Sequence, residues 1–387
     1  MRKGHPTNHD KPRVAIIGAG VIGLAIAWRL ATRGVPVRLF DQGAAGGGAS
    51  HAAAGMLAAV MEAEPGEEAL VTLGRASQAL WPRFAIELRD ATGIDVELRD
   101  EGTLIVALTA DDRARLMHQL ALQTKLGLPI EWINAAEARR REPRLSATLA
   151  GALWSPQDHQ VDNRKLVAAL RKAASAAGAI INEQAAVAEV TSAAGRATGV
   201  VLANGDECPA DVVVLAAGAW SRGIGGLAPD LQPPVRPVKG QMLALRMDPK
   251  APLVSHVVCA PGVYLVPRRD GRLLIGATVE EQRFDSTLTA GGILTLLEAA
   301  WRAVPGIEEL SIDGMWVGHR PGSRDDAPIL GPGPMHGLVY ATGHHRNGIL
   351  LTPITADLIA RAVIDGVVDP ALAPFGIDRF ALARAAE

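Results

Sequence analysis

The chain has 387 residues, of which 48% are hydrophobic and 21% are charged, a composition that supports two domains with hydrophobic cores rather than a disordered chain. The formal net charge of -2 gives no indication of a nucleic-acid partner. The two cysteines, Cys208 and Cys259, are far apart in the sequence, which predicts neither a disulfide framework nor a metal site and is typical of a cytoplasmic protein.

The first residues predict no targeting segment. Residues 1–11 are polar and contain no apolar core, so we expect a flexible tail rather than a signal peptide. No uninterrupted apolar run of about 18 residues occurs later in the chain, which argues against a membrane span.

Residues 13–41 have the order of a mononucleotide-binding βαβ unit: an apolar strand, a glycine turn, a helix and a second strand. In the turn, Gly18 allows a tight bend, Gly20 lets a pyrophosphate approach the backbone, and Gly23 lets the helix pack closely on the strand. The phosphate then lies at the positive end of the helix. This segment therefore predicts a dinucleotide site rather than a βαβ unit without a ligand.

Asp41 follows the second strand, where an acidic side chain accepts hydrogen bonds from a ribose hydroxyl. Small residues then continue from residue 43 to residue 57. A flexible linker explains the glycines of this stretch, but not the small apolar residues near its end. We therefore expect the backbone of residues 52–57 to run close against a large flat ligand.

The hydrophobic pattern predicts an α/β chain with two domains, each assembled from separate segments. Residues 12–90, 151–225 and 316–372 form the predicted dinucleotide-binding domain, and residues 91–150 and 226–315 form a second domain of α+β type. In the second domain, residues 94–98 and 103–108 are expected to be paired strands.

Two predictions in the middle of the chain depend on local turn and capping chemistry. Asn163 is expected to cap a helix that runs to residue 177. The Asn204-Gly205 pair is expected to form a hairpin turn between strands at 198–202 and 211–215.

A second strand-turn-helix segment follows near the end of the chain. Residues 338–342 predict a buried strand, residues 343–348 a polar turn, and residues 349–364 a helix that ends before Gly366. Pro353 lies in the first turn of this helix, where proline is tolerated. The positive end of the helix is expected to face the ligand and to stabilise negative charge.

Several ordered motifs resemble the flavin-dependent D-amino acid oxidase superfamily and, among its members, the glycine oxidases. These motifs are residues 18–23, 52–57, 237–241, 264–268, 276–278, 319–323 and 343–351. The resemblance spans residues 13–369. It implies noncovalent FAD, a Rossmann-like FAD-binding domain and a second α+β substrate domain dominated by an antiparallel sheet, as in p-hydroxybenzoate hydroxylase.

The resemblance and the turn pattern together predict the residues that bind FAD. They are Gly18, Gly20, Val21, Ile22, Gly23, Asp41, Gln42, Ser50, Ala53, Ala54, Gly55, Met56, Val187, Ala217, Gly218, Trp220, Arg320, His345, Arg346, Asn347, Gly348, Ile349 and Leu350. The backbone of Val187 matches an adenine contact, and residues 348–351 match the turn at the pyrimidine edge of the flavin.

The resemblance also implies the residues that act on the substrate. Arg320 matches the arginine that binds the substrate carboxylate, Tyr264 matches a tyrosine that hydrogen-bonds the same carboxylate, and Arg346 matches an arginine near the mouth of the site. Two positions depart from the family pattern: Gly262 replaces a histidine and Val279 replaces a methionine. Both departures are expected to enlarge the pocket, which favours N-substituted glycines or other secondary amines.

The implied reaction is oxidative deamination of glycine or an N-substituted glycine. A hydride passes from Cα to flavin N5, the imine hydrolyses to glyoxylate and an amine, and O2 reoxidises the flavin and gives H2O2. No protein base is obligatory in this scheme. Three alternatives remain: oxidation of a bulkier secondary amine such as an N-carboxymethyl amino acid, a dehydrogenase that passes electrons to a quinone or partner protein, and a flavin-binding structural subunit. Homo-oligomerisation stays open.

Three other polar residues have less specific interpretations. Lys239 either approaches the flavin or is solvated. His344 and His345 are adjacent, so in a regular element they point in different directions and do not predict a metal site.

Overall fold

The computed structural model describes residues 11–381, so the predicted tail at residues 1–11 lies outside the described residues except for Lys11. Two large sheets organise this part of the chain. The first has six strands, in the order Ile329–Pro332, Leu338–Thr342, Val212–Leu215, Val14–Ile17, Val37–Phe40 and Ile180–Asn182. Its neighbours run parallel except for Ile329–Pro332, which pairs antiparallel with Leu338–Thr342.

The first sheet is covered on both faces, as a parallel sheet requires. Along the central strand Val14–Ile17, Val14 and Ile16 belong to one buried cluster, whereas Ala15 and Ile17 belong to another. Helices cover the first face: Val21–Thr32, Glu68–Thr92, Asn163–Ala176 and Thr352–Asp365. A small antiparallel sheet covers the second: Val187–Ala193, Arg196–Leu202 and Glu207–Pro209.

The second large sheet has eight strands and is antiparallel at every pairing but one. In order, its strands are Ser311–Gly322, Arg236–Arg246, Arg272–Gly276, Val263–Pro267, Val257–Ala260, Thr103–Ala107, Gly151–Ser155 and Glu131–Ile133. The parallel pairing joins Val257–Ala260 to Thr103–Ala107. Helices Ala290–Ala303 and Ala135–Arg141 pack on one face, and helix Ala110–Lys125 packs on the other.

The predicted α/β class is confirmed, with one mainly parallel and one mainly antiparallel sheet. Smaller elements join the two: helix Ala49–Ala52 and the paired strands Met56–Leu57 and His159–Gln160. Within residues 11–381, no helix is long and apolar enough to cross a membrane.

The sheets differ from the predicted domain ranges at two places. Residues 151–155 were expected in the dinucleotide-binding domain, but this strand pairs with Thr103–Ala107 in the second sheet. The boundary expected at residue 316 falls inside the strand Ser311–Gly322, which pairs along its whole length with Arg236–Arg246. Both differences arise because backbone pairing with distant strands, rather than local composition, decides sheet membership.

The strand predicted at residues 94–98 is wrong. Glu97 has a positive φ of 53°, which interrupts extended backbone in a non-glycine residue. Only isolated contacts remain there, such as the pair of backbone hydrogen bonds between Arg99 and Gln160. Thr103–Ala107 pairs instead with Gly151–Ser155 and Val257–Ala260.

The cap predicted at Asn163 is also wrong, because the preceding residue takes that position. The carboxylate of Asp162 accepts hydrogen bonds from the backbone nitrogens of Arg164 and Lys165. The amide of Asn163 instead donates to the carbonyl of Ser50 at 2.9 Å. The residue therefore ties this helix to the segment that follows the second strand.

The Asn204-Gly205 turn forms, but it joins different strands from those expected. It links Arg196–Leu202 to Glu207–Pro209, whereas Val212–Leu215 enters the parallel sheet beside Val14–Ile17.

The last strand-turn-helix segment is confirmed. Helix Thr352–Asp365 has Pro353 in its first turn and ends at Gly366, which has a φ of +66°. The helix begins three residues later than expected because a short 3-10 turn, His345–Asn347, precedes it.

Candidate active site

A large cavity of about 820 Å³ lies at the carboxyl ends of the parallel strands, which is where open α/β sheets bind ligands. Ile17, Phe40 and Thr342, each the last residue of its strand, contribute to its wall. The second sheet closes the opposite side with residues such as Met242 and Tyr264. One cavity therefore joins the two halves of the fold.

Two glycines of the turn pack too closely on neighbouring backbone to carry a side chain. Gly18 has a φ of +101°, and a Cβ atom there would lie 2.4 Å from the carbonyl oxygen of Ala216. A Cβ on Gly23 would lie 1.9 Å from the carbonyl oxygen of Gly18, so helix and turn touch directly. The hydroxyl of Ser50 accepts a hydrogen bond from the Val21 nitrogen at 3.0 Å, and both residues line the cavity.

Asp41 braces this turn. Its Oδ2 accepts a hydrogen bond from the Ala19 nitrogen at 2.8 Å, and its Oδ1 accepts one from the Gly43 nitrogen at 2.9 Å. A carboxylate has about four acceptor positions, and Asp41 also lines the cavity. It therefore retains acceptor capacity for a ribose hydroxyl, as the sequence predicts.

The small residues that follow run along the cavity wall. Ala53, Ala54 and Gly55 all line it. The carbonyl of Ala54 accepts a hydrogen bond from Nη2 of Arg268 at 2.6 Å, and a Cβ on Gly55 would lie 2.0 Å from the carbonyl of Val161. The backbone of this segment is thus fixed between buried neighbours and faces the cavity.

The turn before the last helix closes another side. His344, Asn347 and Gly348 line the cavity. Burial lowers the pKa of His344 to about 3, and its Nε2 lies 3.2 Å from the hydroxyl of Thr355. His345 also lines the cavity, and burial lowers its pKa to about 4. Both imidazoles are therefore neutral at neutral pH.

Arg320 and Tyr264 face the cavity from two strands of the second sheet, Ser311–Gly322 and Val263–Pro267. Nη1 of Arg320 donates to the Thr278 carbonyl at 3.1 Å. The Tyr264 ring occupies the space above Gly276, where a Cβ would lie 2.7 Å from the phenol oxygen. Burial raises the pKa of Tyr264, and nearby Arg320 opposes that rise only in part. The phenol therefore stays protonated and able to donate a hydrogen bond.

Arg346 lies at the cavity wall within a group of glutamates. Its Nε is 3.2 Å from Oε2 of Glu62, and its Nη2 is 3.1 Å from Oε1 of Glu64 and 3.6 Å from Oε2 of Glu67. Three carboxylates thus surround one guanidinium. Burial raises the pKa of Glu62 to about 7, although Arg346 and Arg320 both favour its charged form.

Sequence reasoning missed Glu62. Its only signal is a run of acidic residues, Glu62, Glu64, Glu67 and Glu68, around a Pro-Gly turn, and such runs are usually solvated. The structure places Glu62 inside the cavity wall and the others outside it.

Most of the predicted site residues come together around the cavity. Those in its wall are Gly18, Gly20, Val21, Ile22, Asp41, Gln42, Ser50, Ala53, Ala54, Gly55, Met56, Val187, Ala217, Gly218, Trp220, Tyr264, Arg320, His345, Arg346, Asn347, Gly348 and Ile349. Their individual contacts with a cofactor stay predictions.

Two predicted residues lie outside the wall. Gly23 lies behind the turn against Gly18, and the carbonyl of Leu350 accepts hydrogen bonds from Ser77 and Trp81. Neither lines the cavity, and their direct contact with a cofactor stays a prediction.

Lys239 follows neither of its two interpretations. Its side chain is buried, and Nζ lies 2.5 Å from Oδ2 of Asp285 and 3.6 Å from Oε2 of Glu280. The residue therefore anchors the segment after Ala277 rather than facing solvent. In the described part of the chain, no three histidine, cysteine, aspartate or glutamate side chains are grouped as metal ligands.

Comparisons with known proteins give consistent matches over nearly the whole chain. The family described as FAD dependent oxidoreductase matches residues 13–362. A glycine oxidase of Geobacillus kaustophilus is 42% identical, over 95% of this chain and 96% of that enzyme, and its crystal structure superposes with a TM-score of 0.87 over 95% of this chain and 99% of that one. An iminodiacetate oxidase from Chelativorans is 30% identical, with a TM-score of 0.85 over 94% and 98% of the two chains.

Proposed function

This chain belongs to the family of FAD-dependent oxidoreductases, and from that premise we propose that it oxidises glycine or an N-substituted glycine at the carbon that bears the amine. FAD, when bound, supplies the two-electron oxidation. The observation that carries the proposal is that Arg320 and Tyr264 face the same cavity as the glycine turn. A carboxylate receptor and a dinucleotide cradle therefore share one space.

Arg320 is suited to hold the substrate carboxylate. A guanidinium presents a planar fork that matches two carboxylate oxygens. The phenol of Tyr264, kept protonated by its raised pKa, adds a second donor. Together these donors fix the carboxylate and hence the direction of Cα, which is the positioning that such a reaction requires.

The residues present fit FAD. Gly18 and Gly20 line the cavity at the N-terminus of helix Val21–Thr32, where the positive end of a helix favours a pyrophosphate. Asp41 retains acceptor capacity for a ribose hydroxyl. Gly348 and Ile349 line the cavity just before the N-terminus of helix Thr352–Asp365, whose positive end stabilises negative charge.

A second candidate is a bulkier secondary amine, and the opening near Gly262 favours it. No atom lies within 4 Å of a Cβ built on Gly262, and Val279 is 72% exposed although it lines the cavity. The carboxylates around Arg346, which lies in the same cavity wall, oppose a second negative group in the substrate. We therefore expect neutral N-substituents to be accepted better than an N-carboxymethyl group.

The test is anaerobic bleaching of the flavin absorbance by glycine, sarcosine, N-ethylglycine and iminodiacetate, followed by admission of air. Acetate, which lacks an amine, is the matched control. Bleaching by one of these amines with recovery in air supports an oxidase. Bleaching without recovery in air identifies a dehydrogenase that needs another acceptor. A flavin that none of them bleaches contradicts the proposal and leaves the structural flavin subunit.

The domain division and the location are also proposals. We assign residues 12–90, 156–225 and 323–372 to the FAD-binding domain, and residues 91–155 and 226–322 to the substrate domain, because sheet membership supports these boundaries. We also propose a cytoplasmic location, which is supported by two cysteines that are free and buried.

A further inference from the structure

We propose that Glu62 receives the amino group of the substrate, on the side opposite the carboxylate that Arg320 binds, and accepts a proton from it. This inference rests on the proposed function and adds a catalytic residue to the same site. Glu62, Arg320 and Tyr264 all line the cavity. A carboxylate and a guanidinium that share a cavity match the two charges of a zwitterionic amino acid.

Buried hydrogen bonds hold the backbone just before Glu62. The carboxylate of Asp158 accepts from the nitrogens of Val60 and Met61 at 3.0 and 2.7 Å. The side chain of Gln123 donates to the carbonyl of Val60 at 2.9 Å. Because Asp158 and Gln123 are fully buried, this frame places Glu62 before any substrate arrives.

The Glu62 carboxylate keeps one oxygen available. Its Oε2 faces Arg346, and no donor contacts Oε1 within residues 11–381. Arg346 also faces Glu64 and Glu67, so its charge is shared among three carboxylates. Glu62 thus remains a partly unsatisfied acceptor inside the cavity, which an ammonium group would satisfy.

Charged and titratable groups surround Glu62 on several elements. Arg346 and Arg320 favour the carboxylate form, whereas burial, Asp158 and Glu67 favour the protonated form. The nearby Tyr264 and Cys259 both have raised pKa values, with burial as the main cause. The balance brings the pKa of Glu62 to about 7, the range in which a carboxylate exchanges protons most effectively near neutral pH.

The proton transfer is balanced without any redox change. An N–H bond of the substrate ammonium breaks and an O–H bond forms on Glu62, so the zwitterion becomes an anion with a neutral amine. The nitrogen lone pair is then free to assist the oxidation of Cα.

Neighbouring groups do not serve this role equally well. The low pKa values of His344 and His345 make them very weak bases, and His344 already contacts Thr355. The raised pKa of Tyr264 keeps its phenol protonated. Glu62 is the carboxylate in the wall that combines an available oxygen with a near-neutral pKa.

The first test is the Glu62→Gln variant, with Glu64→Gln as the matched control. Glu64 contacts the same arginine but is 61% exposed and outside the wall. The measurement is the anaerobic rate of flavin reduction by glycine across pH. We expect the ratio of the wild-type reduction rate to the glycine Kd to rise with pH and then to level off. The midpoint of the rise should lie near the Glu62 pKa of about 7.

In Glu62→Gln we expect this rise with pH to disappear and the rate of flavin reduction at neutral pH to fall about 100-fold. At about pH 10, where free glycine increasingly carries a neutral amine, the deficit should shrink to a few-fold. Glu64→Gln should keep the rise with pH, shifted at most slightly through the shared Arg346, and should lose far less rate than Glu62→Gln. The inference would be overturned by a Glu62→Gln variant that binds FAD and keeps both the rise with pH and the wild-type rate of flavin reduction.

The second test uses only the wild-type holoprotein and does not depend on a variant that folds. We titrate the flavin absorbance with acetate and determine the glycine Kd from the anaerobic reduction. Ionised Glu62 repels acetate but attracts the ammonium of glycine, so acetate binding should weaken as pH rises through about 7 while glycine binding does not. The same pH dependence for both ligands would contradict the inference.

The same measurements separate failure of the proposed function from failure of the role of Glu62. If no glycine derivative reduces the wild-type flavin, the proposed function fails and the role of Glu62 with it. If glycine reduces the flavin but Glu62→Gln behaves like wild type, only the role of Glu62 fails.

Discussion

Nη1 of Arg320 occupies the space where a side chain on Gly240 would begin. A Cβ built on Gly240 would lie 2.5 Å from that nitrogen. The two residues are on adjacent strands, Ser311–Gly322 and Arg236–Arg246, which pair along their whole length. The position of the Arg320 guanidinium, which we propose binds the substrate carboxylate, therefore depends on a residue with no side chain on the neighbouring strand.

The Gly240→Ala variant should displace Arg320 without removing its charge. Since a displacement of about 1 Å at a positioning group costs up to about 100-fold, we expect the apparent KM for substrate to rise by about 10-fold to 100-fold, with FAD still bound. Steady-state kinetics measure this rise. Gly314→Ala is the control, because the same strand pair contains Gly314 and no atom lies within 4 Å of its Cβ position. Equal apparent KM values for the two variants would show that the missing side chain at Gly240 does not position Arg320.

Removal of the guanidinium itself should have a larger effect. In Arg320→Ala we expect FAD to remain bound and the apparent KM to rise by roughly two to four orders of magnitude, because charge-assisted hydrogen bonds to the carboxylate are lost. Arg246→Ala is the control, since Arg246 lies in the same sheet but pairs with Asp313 at the surface. An unchanged KM in Arg320→Ala would exclude Arg320 from the substrate site.

A substitution in the glycine turn should affect cofactor binding alone. In Gly20→Val, the new Cβ would lie 3.2 Å from the Ser50 hydroxyl, and the two methyl groups would enter the space for the pyrophosphate. We expect the purified variant to lack FAD, as measured by absorbance and by equilibrium titration of the apoprotein. Gly314→Val should bind FAD normally. A yellow Gly20→Val protein that carries FAD would refute this use of the turn.

Burial of His344 predicts a contribution to acid sensitivity. Its pKa lies near 3 in the folded state because of burial, below the ordinary 6.5 of an exposed imidazole, so the unfolded chain takes up the proton more readily. The contribution of His344 to the free energy of unfolding is fully present above about pH 6.5. It is lost as pH falls toward 3, by up to about 1.4 kcal/mol per pH unit.

Thermal unfolding of the holoprotein between about pH 7 and about pH 5 measures this contribution. The Tm of His344→Gln should fall less steeply than that of wild type. His118→Gln, which replaces an exposed helical histidine, should follow wild type. Identical slopes of Tm against pH for all three proteins would show that His344 does not contribute to the acid sensitivity.

The parts of the site that could be predicted from sequence are those that a local pattern encodes. The glycine turn before helix Val21–Thr32 has a fixed spacing between strand and helix, so its place at the cavity follows from residues 13–41 alone. Arg320 and Tyr264 were placed through their motifs, and the structure brings both into the wall. Their contact with a substrate stays a prediction.

What could not be predicted depends on distant partners. Glu62 has the local sequence of a solvated acidic loop, and only Asp158, almost a hundred positions away, fixes the backbone before it. Gly240 matters because Arg320 lies on the adjacent strand. The positive φ of Glu97 ends a segment whose composition favours a strand. In each case the decisive interaction joins residues that no local pattern connects.

Oxidation of glycine derivatives by O2 is tested most directly by the stoichiometry of the aerobic reaction with glycine and sarcosine. Oxygen uptake, H2O2 and glyoxylate are measured in one sample of the FAD-loaded wild-type protein, with Arg320→Ala alongside. We expect one H2O2 and one glyoxylate for each O2 consumed, and little turnover by the variant at the same substrate concentration. No oxygen uptake by wild-type protein that carries FAD, or equal turnover by the variant, would contradict it.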